Sequence, residues 1–166
     1  MEDPKQDLFS VAGKVVAITG AAGIIYTAIA KGLAARDAKV ALLDLLGDKA
    51  QEIADGIKGD GGEAVGVACN VLDTDSISAA LDSVIKAYGR VDVLINGAGG
   101  NRAGACVPRD GVFTDLSLDE VDKVFALNYK GTFLPTQIFC KHFAKQGKGV
   151  VVNTSSMCSI APLTNV

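Results

Sequence analysis

The chain has 166 residues, of which 49% are hydrophobic, 21% charged and 5% aromatic, with a formal net charge of −3. This balance excludes a disordered chain, which needs low hydrophobicity and high net charge. It also excludes a nucleic-acid binder, which carries a basic patch. No apolar run approaches the ~18 residues of a membrane span, and the polar start MEDPKQD does not read as a secretory signal.

On a prior of roughly 150 residues per domain, residues 1–166 are expected to form one domain. Val15–Thr19 (VVAIT) is a β-branched run without polar alternation, as in a strand buried on both faces. After Gly20, apolar residues recur at Ile24, Ala28, Ile29 and Leu33, which predicts a helix with that stripe inward. Lys39–Asp44 (KVALLD) is a second buried strand ending on an acid. Ala50, Ile53, Ala54 and Ile57 mark a second helix, closed by Gly59, Gly61 and Gly62. Ala64–Cys69 is a third strand. Asp73 or Thr74 can cap a third helix with the stripe Ile77, Ala80, Leu81, Val84, Ile85 and Tyr88, ended by Gly89. Val91–Ile95 is the fourth strand and Gly149–Asn153 the fifth. Between them lie a loop, Gly97–Val112, and a long helix from about Ser117 to Lys145.

Strands alternating with helices predict an α/β fold, a doubly wound parallel sheet of Rossmann type with helices on both faces. Right-handed crossovers with strand order 3-2-1-4-5 put the first two helices on one face and the next two on the other. The first face of strands four and five is then left without a helix, so the chain is expected to lack its C-terminal elements and to associate.

Gly20 and Gly23 lie in TGAAGIIY, between a strand and a helix. Glycine there permits a tight turn and lets phosphate approach N–H groups at the helix start. Asp44, 24 residues after Gly20, ends the second strand, where an acid accepts hydrogen bonds from ribose hydroxyls and repels a 2′-phosphate. NGAG (Asn96–Gly99) and NTSS (Asn153–Ser156) follow strands four and five, beside the switch point where open α/β sheets bind ligands. Asn128, Gly131 and Pro135 weaken the long helix, and an interior proline costs ~3 kcal/mol or more. A functional kink is expected there.

Taken in order and spacing, TGAAGII, the acid after strand two, Asn70-Val71, NGAG, LNYKG and NTSS resemble the short-chain dehydrogenase/reductase family, from Gly13 to Pro162. Within it, LINGAGGN, LNYKGTFLPTQ and SSMCSIAPLT look most like its sugar-acid oxidoreductases. The resemblance implies a nicotinamide cofactor, with Gly20, Gly23 and Ile25 along the pyrophosphate and nicotinamide. It places Asp44 on the adenosine ribose, Asn70 and Val71 on the adenine, and Asn96, Ala98 and Gly99 on the inner ribose. Ser156 is implied as the catalytic serine and Asn128 as the helix asparagine that anchors a relay water. NAD is expected over NADP, because Leu45 and Leu46 supply no cation for a 2′-phosphate.

Three departures matter. The family's TGxxxGxG would place glycine at positions 24 and 26, where this chain has Ile24 and Tyr26, whose side chains are expected to narrow the approach. Asn70 replaces an acid. The family's Tyr-x-x-x-Lys pair falls beyond Val166, and Tyr26, Tyr88 and Tyr129 are not placed to substitute for that tyrosine. The 166 residues alone are therefore expected to be inactive. Asn101, Arg102 and Arg109 sit in the loop after strand four, where a cation can meet an acidic substrate or simply be solvated.

Cys69, Cys106, Cys140 and Cys158 show no metal-ligand spacing, so no metal is expected, and reduced thiols point to the cytoplasm. His142 reads as a surface residue. The expected function is NAD(P)-dependent hydride transfer between a nicotinamide and a carbonyl or secondary alcohol of a small molecule, such as a sugar acid, in a homo-oligomer. The alternatives are a non-catalytic dinucleotide-binding domain, or a methyl transferase on a similar sheet. NGAG together with NTSS tells against the last.

Overall fold

The computed structural model describes residues 9–161; the MEDPKQD start and the end of the family resemblance at Pro162 lie outside them. The apolar runs form five strands: β1 (Val15–Thr19), β2 (Lys39–Asp44), β3 (Glu63–Ala68), β4 (Val93–Asn96) and β5 (Val150–Asn153). They pair in parallel in the expected order, β3-β2-β1-β4-β5. All five residues of β1 are buried, as suits a central strand covered on both faces.

Helices α1 (Ile24–Ala34) and α2 (Gly47–Gly59) cover one face, packing Ala30, Ala34, Ala50, Ala54 and Ile57 on Val16, Ile18, Val40 and Leu42. Helix α3 (Thr74–Tyr88) covers the other face together with α5 (Gly131–Gln146), joining Ile77, Leu81, Val84, Phe139 and Phe143 to Ala17, Leu43 and Leu94. Asp73 is the cap of α3, its carboxylate accepting from the N–H groups of Asp75 (2.9 Å) and Ser76 (3.3 Å). Gly89 closes the helix in the left-handed region at φ 78°.

Three expectations need correction. Of Ile24, Ala28, Ile29 and Leu33 in α1, Leu33 alone turns inward. Ile24 is 92% exposed, and the side chains turned to the sheet are Tyr26, Ala30, Leu33 and Ala34. Alanines at 30 and 34 let the helix axis lie close to β1 and β2, which larger side chains would prevent. The fourth strand spans Val93–Asn96 and does not begin at Val91, and Asp92 stands at its entry. Its carboxylate is buried and accepts from Val15 N–H and Arg90 Nε, both at 2.9 Å. The long helix is also not continuous: α4 (Leu118–Phe125) passes into a π-helical turn over Ala126–Lys130 before α5. That turn contains Asn128 and abuts Gly131, and π turns inside helices often sit at functional sites. The irregularity foreseen near Asn128 is therefore present as a widened turn.

On the α1/α2 face, Val93 and Ile95 of β4 are half-buried, while Val150 and Val152 of β5 are 55% and 47% exposed. The opposite face of the same strands is covered by Phe139 and Phe143. Among the described residues, no helix is long and apolar enough to cross a membrane.

Candidate functional site

Two clefts open at the carboxyl ends of the strands, where the strand order reverses between β1 and β4. The first, of about 620 Å³, is lined by Gly20, Gly23, Ile24, Ile25 and Tyr26 of the first turn, by Asp44 and Leu46 after β2, and by Gly97, Ala98 and Gly99. Gly20 has φ +66°, and a Cβ there would lie 2.8 Å from both Cα and N of Ala98. Only glycine allows the β1–α1 turn to pass this close to the β4 loop. The loop is held by Thr19, whose Oγ1 accepts from the N–H groups of Gly97 (3.1 Å) and Ala98 (3.2 Å).

Asp44 ties the turn from the other side. Its Oδ2 accepts from Ala22 N–H at 3.0 Å and its Oδ1 from Leu46 N–H at 2.9 Å. Each oxygen keeps a further lone pair for a ligand hydroxyl. Asp44 is the one charged side chain lining this cleft. Gly23 precedes α1 without a side-chain cap, so the N–H groups of its first turn remain available. A close-packed glycine turn, open helix N–H groups and one carboxylate fit a dinucleotide's phosphates and ribose.

Six of the nine expected cofactor residues meet in this cleft: Gly20, Gly23, Ile25, Asp44, Ala98 and Gly99. Three do not. Asn70 lies at the surface past β3, its Oδ1 accepting from Leu72 N–H at 3.0 Å. The side chain of Val71 is 7% exposed and packs in the core, where a Cβ on Gly131 would come within 3.0 Å of it. Asn96 points inward and is 1% exposed. Its Nδ2 donates to Thr136 Oγ1 and to Asn153 Oδ1, both at 2.8 Å, joining β4, α5 and β5. Its Oδ1 is buried without a protein partner. An inner-ribose contact by the Asn96 side chain does not match this placement, because both amide protons are already used within the protein.

The second cleft, of about 710 Å³, adjoins the first where Gly99 gives way to Gly100. It is lined by Gly100, Asn101, Ala105, Val121, Val124, Phe125, Asn128, Tyr129, Ser156 and Cys158. Asn128 holds its rim. Nδ2 donates to the carbonyls of Gly100 (2.7 Å) and Val124 (2.8 Å), and Oδ1 accepts from Gly100 N–H (3.1 Å). The π turn carries this side chain across to the β4 loop, so Asn128 clamps one residue on both of its backbone groups. Ser156, not Ser155, lines the cleft. Its Oγ accepts from Cys158 N–H at 3.2 Å, which leaves the hydroxyl proton for a substrate oxygen.

Of the other titratable side chains, Tyr129 and Cys158 line the second cleft beside Ser156. Burial, with Glu63 nearby, pushes the Tyr88 phenol up to about 12. Burial, helped by the charges of Asp44 and Asp73, pushes the Cys69 thiol up to about 11, so it is a neutral core side chain. Tyr129 lies in an exposed stack between Phe125 and Phe133, with ring centroids 5.4 and 6.2 Å apart. Arg102 pairs with Glu120, which Lys123 also holds at 2.6 Å; Lys123 and then Arg102 keep that carboxyl below its ordinary range. His142 bonds Gln146 Oε1 at 3.2 Å on the far part of α5. Among the described residues, no group of three or more His, Cys, Asp or Glu is placed to hold a metal.

Two contributors escaped the sequence reading. Thr19 could have been suspected, since a buried hydroxyl at a strand end needs a partner. Tyr26 was visible as a departure, but not its target: its hydroxyl bonds Thr154 Oγ1, 128 residues on.

The sequence model of the family described as short chain dehydrogenase matches residues 14–166. D-threitol dehydrogenase of Mycolicibacterium smegmatis is 38% identical over 155 residues, covering 93% of this chain and 57% of that protein. A candidate D-mannonate oxidoreductase from Haemophilus influenza, solved with bound NAD, is 37% identical. It has a TM-score of 0.88 over 95% of this chain and 60% of that one. An NAD+-bound xylitol dehydrogenase is 30% identical, with a TM-score of 0.84 over 93% of this chain and 57% of its own. The chain thus spans under two thirds of the length of these relatives.

Proposed function

The chain belongs to the short-chain dehydrogenase family, and from that premise we propose that it serves an NAD-dependent oxidoreductase interconverting a secondary alcohol and a carbonyl. The observation that carries this reading is the meeting of the two clefts at Gly99–Gly100, one built for a dinucleotide and one presenting the Ser156 hydroxyl. Gly20, Gly23, Ile25, Ala98 and Gly99 would hold the dinucleotide against the first turn of α1. Asp44 would accept from the adenosine ribose, with the surface residue Asn70 at the adenine end, while the Val71 side chain stays in the core. Bound nicotinamide supplies the hydride acceptor or donor.

The protein's own part is orientation and charge stabilisation. Ser156 donates its hydroxyl proton in a hydrogen bond to the substrate oxygen as negative charge gathers there. Asn128 fixes the rim at Gly100 and keeps one Oδ1 lone pair for a relay water. NAD is favoured over NADP because a 2′-phosphate would meet the Asp44 carboxylate, and Leu45 and Leu46 bring no cation.

For the substrate, similarity to the candidate D-mannonate oxidoreductase supports a sugar acid. A neutral polyol is a second reading, favoured by the second cleft itself: among the described residues no cation lines it, and Arg102 is engaged by Glu120. In a version extended to the full length of these relatives, NAD reduction with threitol and xylitol set against mannonate and related acids separates the two. Saturable turnover of either class supports the oxidoreductase. Turnover of acids alone overturns the polyol reading, and no NAD reduction with any of them counts against both.

The unpaired cysteines Cys69, Cys106, Cys140 and Cys158 suit a reducing cytoplasm. The exposed Val150 and Val152, with the Phe125–Tyr129–Phe133 stack, support association between copies. Monomers rarely leave apolar patches of more than a few hundred Å² open. The 166-residue chain is expected to run larger than a monomer in size exclusion with light scattering. A well-behaved monomer would contradict the association.

A further inference from the structure

We propose that Tyr26 is a positioning residue for Ser156, a role that rests on the oxidoreductase reading above. Tyr26 occupies the first turn of α1, with its ring against Gly97. A Cβ on Gly97 would fall 2.5 Å from Tyr26 Cε2 and 2.6 Å from Thr19 O. The missing side chain at 97 therefore makes room for the ring at 26, and the two positions fit as a pair.

The hydroxyl of Tyr26 bonds Thr154 Oγ1. Thr154 gives its own hydroxyl proton to the Asn96 carbonyl at 2.6 Å, because a carbonyl only accepts. Tyr26 is therefore the donor to Thr154. Thr154 N–H reaches the same Asn96 carbonyl at 3.3 Å. One threonine thus joins the first turn of α1 to the ends of both β4 and β5.

That junction is the last hold on the chain before Ser156. The one strand that pairs with β5 among the described residues is β4. Among the described residues, the hydrogen bonds of Ser155 and Ser156 stay within 155–159: Ser155 Oγ with Ser159 Oγ, Cys158 N–H to Ser156 Oγ, and the Ser159 N–H and hydroxyl to Ser156 O. These bonds shape the local turn without fixing it to the sheet. Thr154 does the fixing, and Tyr26 supplies one of its ties. The same tyrosine lines the dinucleotide cleft. The Tyr26–Thr154 bond therefore sets the distance between the first cleft and the serine that faces the second.

If the ring were only a filler over Gly97, Tyr26→Phe would be silent, since it keeps the ring and removes the hydroxyl alone. If the hydroxyl positions Ser156, a displacement of ~1 Å is enough to cost up to ~10²-fold in rate. In a version extended to the full length of its relatives, Tyr26→Phe is expected to lower kcat by about tenfold with the Kd for NADH within about twofold. Thr154→Val should act similarly, and the double variant should be little worse than either single one, as for residues in one hydrogen-bond chain.

Amide exchange at Thr154 in the cofactor-free protein reads the tie without any assay of turnover. It should quicken about tenfold in Tyr26→Phe while β1 and β2 amides stay unchanged. Unchanged exchange at Thr154 overturns the proposal whatever the kinetics show. Faster exchange with unchanged kcat also overturns it, leaving Tyr26 a local strut. Wild-type protein that binds NADH yet turns nothing over counts against the oxidoreductase reading, and the exchange comparison then decides the tie alone.

Discussion

In a version extended to the full length of its relatives, Ser156→Ala is expected to lower kcat by about 10²–10³-fold, the usual cost of losing one hydrogen-bond donor to a developing oxyanion. The Kd for NADH should stay within about twofold, because Ser156 lines the second cleft and not the dinucleotide cleft. The neighbouring Ser155→Ala is the control. Ser155 lies outside both clefts and its hydroxyl meets Ser159 Oγ at 3.4 Å, so its removal should change kcat little. Steady-state kinetics beside a direct NADH titration separates the two effects. A larger loss from Ser155→Ala would place the acting hydroxyl one residue earlier.

Gly20→Ala is expected to destabilise the fold by about 2–5 kcal/mol, a large share of the ~5–15 kcal/mol typical of a domain. Two costs add. A non-glycine residue at φ +66° pays ~1–2 kcal/mol for left-handed backbone. The new Cβ would also stand 2.8 Å from the Ala98 backbone and 2.9 Å from the Gly97 carbonyl carbon, and forced repacking adds ~1–3 kcal/mol. Neither side yields easily. β1 is buried between β2 and β4, and Thr19 Oγ1 holds both Gly97 N–H and Ala98 N–H. NADH binding should weaken with it, since the displaced loop lines the cleft. Gly56→Ala is the contrasting change: it sits within α2 with open space around a Cβ. It should be neutral or stabilise by up to ~1 kcal/mol. Urea denaturation of both variants reads the difference, and equal effects would contradict the close-approach argument.

Much of the fold was legible because the strands of a doubly covered sheet must be apolar on both faces. VVAIT and KVALLD have no polar alternation to confuse, and each became a strand with the bounds the sequence suggests. With the strands in the order 3-2-1-4-5, the handedness of crossovers assigned each helix to its face. The inward face of α1 was not legible. Large apolar residues at Ile24 and Ile29 drew the stripe, whereas close packing selected the small Ala30 and Ala34. The π turn could be suspected from Asn128, Gly131 and Pro135, since each weakens a helix, but not its form.

The candidate site divides in the same way. Gly20, Gly23 and Asp44 could be found because their chemistry depends on neighbours within one strand–helix–strand unit. Asn96 could not be assigned, because an asparagine after a strand reads alike whether it faces a ligand or the interior. Its partners Thr136 and Asn153 lie 40 and 57 residues away. The Tyr26–Thr154 bond spans still more of the chain and has no local signal at all.

The central claim is that the cleft between the Gly20 turn, Asp44 and the Gly97–Gly99 loop binds NAD. Calorimetric titration of the protein with NADH and, separately, NADPH tests it most directly. The expected result is saturable binding of NADH at one site per chain, with NADPH weaker by at least about tenfold, and with Asp44→Ala narrowing that gap. Absence of saturable NADH binding, or tighter binding of NADPH, would contradict it.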